Sequence, residues 1–435
     1  MKRVVVLISV ALLGSMGLAQ AQKVNEAALT KKIEKLEADS KDAKKNGKPA
    51  LWLNLGKSYY DAGVAITSQL YRGMDEVYAM LTFGTAQETT KTVEGKEYKV
   101  SSFPYVDLYF DNGMLAFWEI TKPVFEGDLD KSAEAYLKAV ELDKSSGTME
   151  KAKEGVQAVV NAYKQIADNE YARRQFKTAS IYFAKAYDLA SGSVLNKIDT
   201  LSGYNAGLLA TVVMDYPMGE KYLNEAASHD YTMDGDVYYY LSICYNGENK
   251  TEEAKTVLQD ALAKYPKNTK IIEGLLNVYA NTGEDPSSII PLVESAIAAD
   301  PTNAELYAGL GRVNEKLGKL QDAIAAFQKA AELLPDDFST NFNLGLTMIK
   351  YADEQAKILN EKRFTSQDAY NAELAKVYEA YSQSIAPLEK AHTIAPQDPA
   401  SVELLKNVFF RLRDESPSMM ENYNKYNELF KSMQE

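Results

Sequence analysis

Two amphipathic runs separated by a glycine set the pattern for most of the chain. Segment 304–335 places apolar residues at helical spacing on both sides of Gly318, and Pro335 ends the second run. Small residues at Gly311 and Ala323 let two antiparallel helices approach closely. Such a helix pair cannot bury its apolar face alone, so it needs neighbouring pairs. The pattern therefore predicts an all-α protein built as a stack of helix pairs.

The same pattern recurs at a nearly constant interval. Pro266, Pro301 and Pro335 lie 35 and 34 residues apart. The next closing proline, Pro396, comes 61 residues after Pro335, which is one repeat of 34 plus an insertion of 27 residues. The extra stretch, roughly 351–379, is rich in Ala, Glu, Lys, Leu and Tyr. It predicts either two lengthened helices or a projecting helical arm.

The landmark residues of these runs carry a family resemblance. Trp52, Leu55, Gly56 and Tyr59 reproduce the spacing W-x2-L-G-x2-Y, and Tyr307, Leu310, Gly311, Ala323, Phe327, Ala330 and Pro335 fit one whole repeat. The chain resembles the tetratricopeptide repeat (TPR) family, strongly over 49–63 and 235–396 and diffusely between them. The resemblance implies a right-handed α-solenoid of about eight helix pairs that binds other proteins.

The first residues have the pattern of a secretory signal peptide. Lys2 and Arg3 precede an apolar run at 4–18, and residues 19–21 fit the small-x-small cleavage rule, which leaves Gln22 as the mature start. A membrane anchor is the alternative, but the run is shorter than the ~20 residues that a spanning helix needs. The chain also resembles exported TPR proteins of Gram-negative bacteria, which implies a location in the periplasm or on the periplasmic side of the outer membrane.

The segment after the first repeat helix departs from the repeat pattern. Residues Thr92 to Val100 alternate around Gly95, which predicts a small β-hairpin inside an insertion at 84–103. We expect helices on both sides of it, from Val64 to about Phe83 and over 107–126. The insertion either forms a binding face or caps the core of the first repeat.

These patterns predict a linear domain organisation. We expect a signal peptide at 1–21, a polar leading helix at 22–48, a first TPR with an insertion at 49–126, degenerate TPR pairs at 127–234, regular repeats at 235–337, a TPR with the 27-residue insertion at 338–398 and capping helices at 399–435.

Composition narrows the classes of function. The net charge is −13, or −15 after removal of the signal peptide, which argues against nucleic acid as a partner because nucleic-acid binders carry a basic stripe. Cys244 is the single cysteine, so an internal disulfide and an all-cysteine zinc site are excluded. His229 and His392 are the only histidines, so histidine-based metal or catalytic chemistry is disfavoured. No nucleotide-binding or nucleophile motif is present. We predict no catalytic residue, no metal site and no cofactor.

The TPR resemblance implies a concave groove lined by the first helices. Carried over residue by residue, it places there Leu53, Lys57, Tyr60, Tyr239, Ile243, Asn246, Val278, Asn281, Arg312, Glu315, Phe342, Leu346 and Ile349. Asn246 and Asn281 are expected at equivalent positions of successive repeats, where amides can bond to an extended peptide or simply face solvent. The chain lacks the ladder of Lys, Asn and Arg with which chaperone-binding TPR domains hold a terminal carboxylate.

Three functions follow as hypotheses. The first is an exported scaffold or adaptor for protein–protein interaction in the cell envelope, within an outer-membrane transport, secretion or biogenesis complex. The second is a soluble periplasmic module that binds glycan or peptidoglycan fragments through exposed aromatics such as Trp118 or Phe103. The third is an enzyme housed in the 84–103 insertion, which the scarcity of His and Cys disfavours.

Overall fold

The computed structural model describes residues 25–125, 127–282 and 285–434. The predicted signal peptide lies outside these residues. The chain divides into two compact units, with unit 1 ending at Val213 and unit 2 beginning at Met214. Among the described residues, none of the helices combines the length and apolar character needed to cross a bilayer.

Unit 1 contains helix pairs and one inserted sheet. Its helices are α1 (Glu26–Lys41), α2 (Pro49–Gly63), α3 (Glu76–Phe83), α4 (Asp128–Leu142), α5 (Ser146–Ala172), α6 (Phe176–Ser191) and α7 (Thr200–Val212). The partner of α2 in the first repeat is α4, because Gly56 faces the ring of Tyr136 and Ser132 Oγ donates to the Gly56 carbonyl at 2.8 Å. The expected helix from Val64 to Phe83 is therefore wrong: only α3 is helical there, and 64–127 is inserted between the two helices of one repeat.

The insertion carries a four-stranded antiparallel sheet. Its strands, in the order β1-β2-β3-β4, are β1 (Gln87–Val93), β2 (Lys96–Ser102), β3 (Val106–Asp111) and β4 (Met114–Ile120). The predicted hairpin around Gly95 is confirmed as β1–β2. The helix expected over 107–126 is wrong, since β3 and β4 pair there. They are joined at Asn112 and Gly113, both with positive φ, as a tight hairpin requires.

The sheet covers the core of the first repeat. Leu108 and Trp118 from the sheet pack in one buried cluster with Ile33 of α1 and with Leu55 and Tyr59 of α2. Of the two roles expected for the insertion, the cap over the first core is therefore the one that these contacts support. Binding at its outer surface stays a prediction.

Unit 2 is helical apart from its turns. Its α-helices are α8 (Tyr216–Ser228), α9 (Asp236–Gly247), α10 (Thr251–Lys264), α11 (Thr269–Thr282), α12 (Ile290–Ala299), α13 (Ala304–Lys316), α14 (Leu320–Leu333), α15 (Phe338–Glu361), α16 (Gln367–Gln383), α17 (Ile385–Ile394), α18 (Pro399–Leu412) and α19 (Pro417–Ser432). Polar caps fix several helix starts: Asn303 accepts from the Glu305 amide at 3.1 Å, and Asp337 from the Thr340 amide at 3.0 Å.

The 27-residue insertion lengthens both helices of its repeat. The first helix, α15, runs for 24 residues, and the second is split at Ser384 into α16 and α17. Val377 and Tyr381 of α16 are buried in one cluster with Ala352 and Leu359 of α15. The extra helical length is thus packed against unit 2, which matches the first of the two expected alternatives.

Close helix pairs repeat through both units. A Cβ added at Gly311 would lie 2.9 Å from the ring of Phe327 on the paired helix. A Cβ added at Gly345 would lie 2.5 Å from Leu388. These contacts mark where the first helix of a pair crosses the second, and the predicted fold of helix pairs with a small β insertion is confirmed.

Candidate partner-binding surface

The first helices of unit 2 form one continuous face. Helix α11 contacts both α9 and α13, and α13 is linked to α15 by Lys350 and Thr347, which both donate to the carboxylate of Glu315. The corresponding outward positions of these helices define what we call the first-helix face. Its residues are Tyr239, Ile243, Asn246, Glu273, Asn277, Arg312, Glu315, Phe342, Leu346 and Ile349.

Arg312 is the charged residue at the centre of this face. Its Nε and Nη2 atoms are buried and have no hydrogen-bond partner. Burial is the largest influence on the guanidinium and lowers its pKa, while Glu273, Glu305 and Glu315 oppose that shift. Because buried N–H groups in folded proteins are nearly always bonded, two free donors at one side chain call for a partner. They can donate to an oxygen that a ligand brings to this face.

The groove positions predicted for α11 are displaced by one residue along the helix. Val278, expected in the groove, is fully buried, as is Val313 at the position after Arg312. The residue that corresponds to Arg312 is Asn277, which is exposed and which the sequence reasoning missed. Counting residues forward from Pro266 and from Pro301 aligns Asn277 with Arg312. Counting back from Pro301 and from Pro335 aligns Val278 with Arg312 instead.

The repeat between Pro266 and Pro301 is one residue longer than the next repeat, and this difference explains the shift. The 35-residue repeat has its additional residue after α11, in the connection that leads to α12. Asn281 is exposed near the end of α11, but it is not equivalent to Asn246. The expected ladder of two equivalent asparagines is therefore wrong, and Asn277 lies one turn from Asn281 on the same helix instead.

Most other predicted groove residues of unit 2 are half-buried. Tyr239, Ile243, Asn246 and Leu346 each present part of their surface. Phe342 and Ile349 pack against the core around α15 to α19 and expose the remainder. Whether these side chains contact a partner stays a prediction.

The predicted residues of unit 1 lie on α2. Leu53 and Tyr60 pack against the core formed by α4, α5 and α6. Lys57 is exposed and forms an ion pair with Asp61 one turn away, at 2.8 Å between Nζ and Oδ1. Lys57 is thus the most accessible member of this group.

The aromatic residues assigned to glycan binding are in the core. Trp118 is 4% exposed and Phe103 is 8% exposed. The expectation that they stack on a sugar is wrong, because each packs inside the capped core of the first repeat. Within the described ranges, no group of three or more His, Cys, Asp or Glu side chains is arranged to hold a metal ion.

Two segments match a known family. Residues 236–268 and 304–337 match models of the tetratricopeptide repeat. They coincide with α9–α10 and with α13–α14, the helices that carry much of the first-helix face. The predicted TPR repeats are confirmed, and such repeats are protein-interaction scaffolds.

Curated relatives share part of this region. The chain is 26% identical over 222 residues to DnaJ homolog subfamily C member 7 of Homo sapiens, and the Mus musculus protein gives the same values. The match covers 48% of this chain and 43% of the relative. The chain therefore aligns with less than half the length of these relatives.

Solved structures resemble the chain at low similarity. An IFIT1 monomeric mutant with Gppp-AAAA is 12% identical, with a TM-score of 0.36, over 69% of each chain. A TPR repeats protein of Bacteroides fragilis is 16% identical, with a TM-score of 0.29, over 57% of this chain and 97% of that one. MamA is 22% identical, with a TM-score of 0.29, over 44% and 95%. These scores are below 0.5, so the structures say nothing about the function of this chain.

Proposed function

Because the chain carries tetratricopeptide repeats, we propose that it is a scaffold whose first-helix face in unit 2 binds an extended segment of a partner protein. The observation that carries this proposal is that two buried guanidinium nitrogens of Arg312, Nε and Nη2, have no hydrogen-bond partner. A buried charged group with free donors is costly unless something satisfies it. The carbonyl oxygens of a bound peptide backbone supply acceptors of the required kind.

The charges around Arg312 favour a neutral acceptor over an anionic one. Glu273, Glu305 and Glu315 all lie close enough to act on the guanidinium. An added carboxylate would be repelled by all three, whereas a backbone carbonyl would not. Asn277, exposed one turn from Glu273, adds an amide that both donates and accepts. The partner segment is therefore expected to bind through its backbone, with apolar side chains meeting Ile243 and Leu346.

Affinity capture with matched variants tests this function. Tagged mature protein is incubated with detergent-solubilised envelopes, and the captured proteins are quantified by mass spectrometry. We expect one partner in near-equal amount with the wild type, and at least about a tenfold loss with Arg312→Met. Lys329→Met changes an exposed residue of α14; it is the control and should capture normally. Equal capture by wild type and Arg312→Met would rule out the first-helix face as the binding site.

We further propose that the protein is exported and serves an envelope complex, such as one for outer-membrane transport, secretion or biogenesis. The basic start, the apolar run at 4–18 and the small residues Ala19 and Ala21 support export. N-terminal sequencing of the protein from osmotic-shock fluid of native cells should begin at Gln22. A protein that retains Met1 and fractionates with the cytosol would contradict export.

A further inference from the structure

One edge of the inserted sheet has no neighbouring strand or loop. The sheet has the order β1-β2-β3-β4, so β1 and β4 are its edge strands. The β4 edge is covered, because the Gly73 amide donates to the Leu115 carbonyl at 2.8 Å. Arg72 Nε also donates to the Ala116 carbonyl of β4, at 3.0 Å. Within the part of the chain that the structure describes, β1 pairs with β2 alone, and every residue of β1 except Val93 is exposed. The outer edge of β1 is therefore open to another strand.

The turn that follows β1 determines which of its backbone groups face outward. Glu94 and Gly95 form a two-residue loop, and both have positive φ. In such a turn the carbonyl of Val93 accepts from the amide of Lys96, so the backbone of Val93 faces β2. Bonded residues alternate along an antiparallel pair, so every second residue before Val93 also faces β2 and the others face outward. The residues of β1 whose N–H and C=O groups face outward are Glu88, Thr90 and Thr92.

The features that usually block a sheet edge are absent from β1. Soluble proteins protect such edges with proline, with a bulge or with a lysine that projects from the strand. The seven residues of β1 contain no proline, and their register with β2 has no bulge. Lys91 is held over the sheet, where its Nζ donates to Asp107 Oδ2 at 2.8 Å and lies 5.5 Å from the centre of the Tyr109 ring. The edge can therefore accept a strand along its whole length.

The charged side chains of β1 are paired inside unit 1. Lys91 pairs with Asp107, and Glu88 pairs with Lys99 of β2 at 3.1 Å between Oε1 and Nζ. An edge whose charges are already paired has no attraction for a strongly charged segment. It suits a neutral strand, and an identical β1 with the same internal pairs is one.

We propose that β1 pairs with β1 of a second copy of this chain, in an antiparallel dimer with its two-fold axis at Thr90. This register places Thr90 opposite its own copy and Glu88 opposite Thr92, so the outward-facing groups of both strands bond to each other. Thr89 lies opposite Lys91, so no two like charges face each other. A register centred on Lys91 would instead put two lysines in contact. The dimer joins the two four-stranded sheets edge to edge.

Sedimentation equilibrium of the protein that begins at Gln22 tests the dimer. A single strand pair buries less than the about 1,600 Å² of a standard interface, so we expect a dissociation constant on the order of 10–100 µM. Thr90→Pro removes an outward N–H, which an edge strand tolerates, and should weaken the dimer at least about tenfold. Thr90→Val keeps that N–H and should dimerise as the wild type does. Circular dichroism checks that both variants melt as the wild type does.

Disulfide trapping tests the register without relying on the proline variant. In the proposed pair the two Thr90 Cα atoms lie about 5.5 Å apart, within the range for a disulfide. The two Thr92 Cα atoms lie more than about 10 Å apart. Thr90→Cys should therefore form a covalent dimer under mild oxidation, whereas Thr92→Cys, on the same edge, should not. The native Cys244 is buried and serves as the background in the wild type.

Three results would overturn the proposal. They are a wild type that stays monomeric up to about 1 mM, a dimer that survives Thr90→Pro, and equal trapping at positions 90 and 92. If the wild type is monomeric and Thr90→Cys traps a different protein from envelopes, the edge belongs to another partner, and the self-pairing of β1 is equally refuted.

Discussion

At the residue scale, a missing side chain decides how closely paired helices approach. Gly311 faces Phe327, Gly56 faces Tyr136 and Gly345 faces Leu388. In each case a small position on the first helix receives a large side chain of the second. This complementarity is visible in the sequence because the landmark spacing depends on it, and so the close pairs could be predicted.

Replacing Gly311 should therefore destabilise unit 2. A Cβ there would lie 2.9 Å from three atoms of the buried Phe327 ring, which cannot move without opening a core. We expect Gly311→Ala to lower the free energy of unfolding by about 1–3 kcal/mol and Gly311→Leu by about 2–4 kcal/mol, measured by urea denaturation. Gly147→Ala, at a helical glycine with open space around it, should change it by less than about 1 kcal/mol. An unchanged unfolding midpoint for Gly311→Leu would mean that the helix pair is wrongly assigned.

Asp128 should make stability depend on pH. Its pKa in the folded state, about 7, exceeds the unfolded value near 3.9, so the folded state holds the proton more tightly. Stability is then lost as pH rises from about 4 through 7. Asp128→Asn should be about 1–3 kcal/mol more stable than wild type at pH 8 and nearly equal at pH 4, by thermal unfolding at both values. The reverse pattern, with a larger gain at pH 4, would show that the carboxyl is not buried.

Residues outside the core were harder to predict. Arg312 was placed on the first-helix face from the family pattern, but nothing in the sequence indicates that its donors lack partners. Val278 was misplaced because a one-residue difference between repeats moves a side chain by about 100° around the helix. Asp128 is buried because it packs against Gly63, which is far away in the chain, so local patterns do not reveal its burial.

At the element scale, Asn169 of α5 attaches the inserted sheet to that helix by hydrogen bonds. The main chain of Trp118, on edge strand β4, both receives from and donates to the Asn169 amide side chain, at 3.0 and 2.9 Å. Asn169 thus replaces a neighbouring strand at that point. At Trp118 the main-chain groups of this edge are therefore not free to pair with another chain.

Removing that amide should weaken the attachment of the inserted sheet. Asn169→Ala leaves a buried N–H and a buried C=O without partners, so we expect a loss of about 2–4 kcal/mol in the free energy of unfolding. Hydrogen exchange at the Trp118 amide should accelerate in the same variant. Asn161→Ala, exposed on the same helix, should cost less than about 0.5 kcal/mol. Unchanged exchange at Trp118 would contradict the role given to Asn169.

Helices were easier to predict than the sheet. The 3.6-residue periodicity identified the helix pairs of unit 2, and alternation around Gly95 identified the first hairpin. The second hairpin was missed although Asn112-Gly113 is a strong turn signal, since the aromatic residues on both sides also suit a buried helix. The pairing of α2 with α4 could not be foreseen from neighbouring order, because a whole sheet lies between them.

At the scale of the whole molecule, the repeats determine the architecture but not the identity of the partner. Core positions repeat because every helix pair must pack on the next. The equivalent positions on the first-helix face carry no such constraint, so Asn277, Arg312 and Leu346 differ from one another. Their chemistry, rather than any repeat landmark, decides what binds.

Site-specific photo-crosslinking tests the central claim most directly. A photoreactive phenylalanine analogue is placed at Asn277, the position on the first-helix face that corresponds to Arg312, or at Lys329, an exposed residue of α14, and the protein is irradiated in native envelopes. We predict a crosslink to one partner from position 277 and none from position 329. Crosslinks from position 329 alone, with the partner still captured, would show that the first-helix face of unit 2 is not where this scaffold binds.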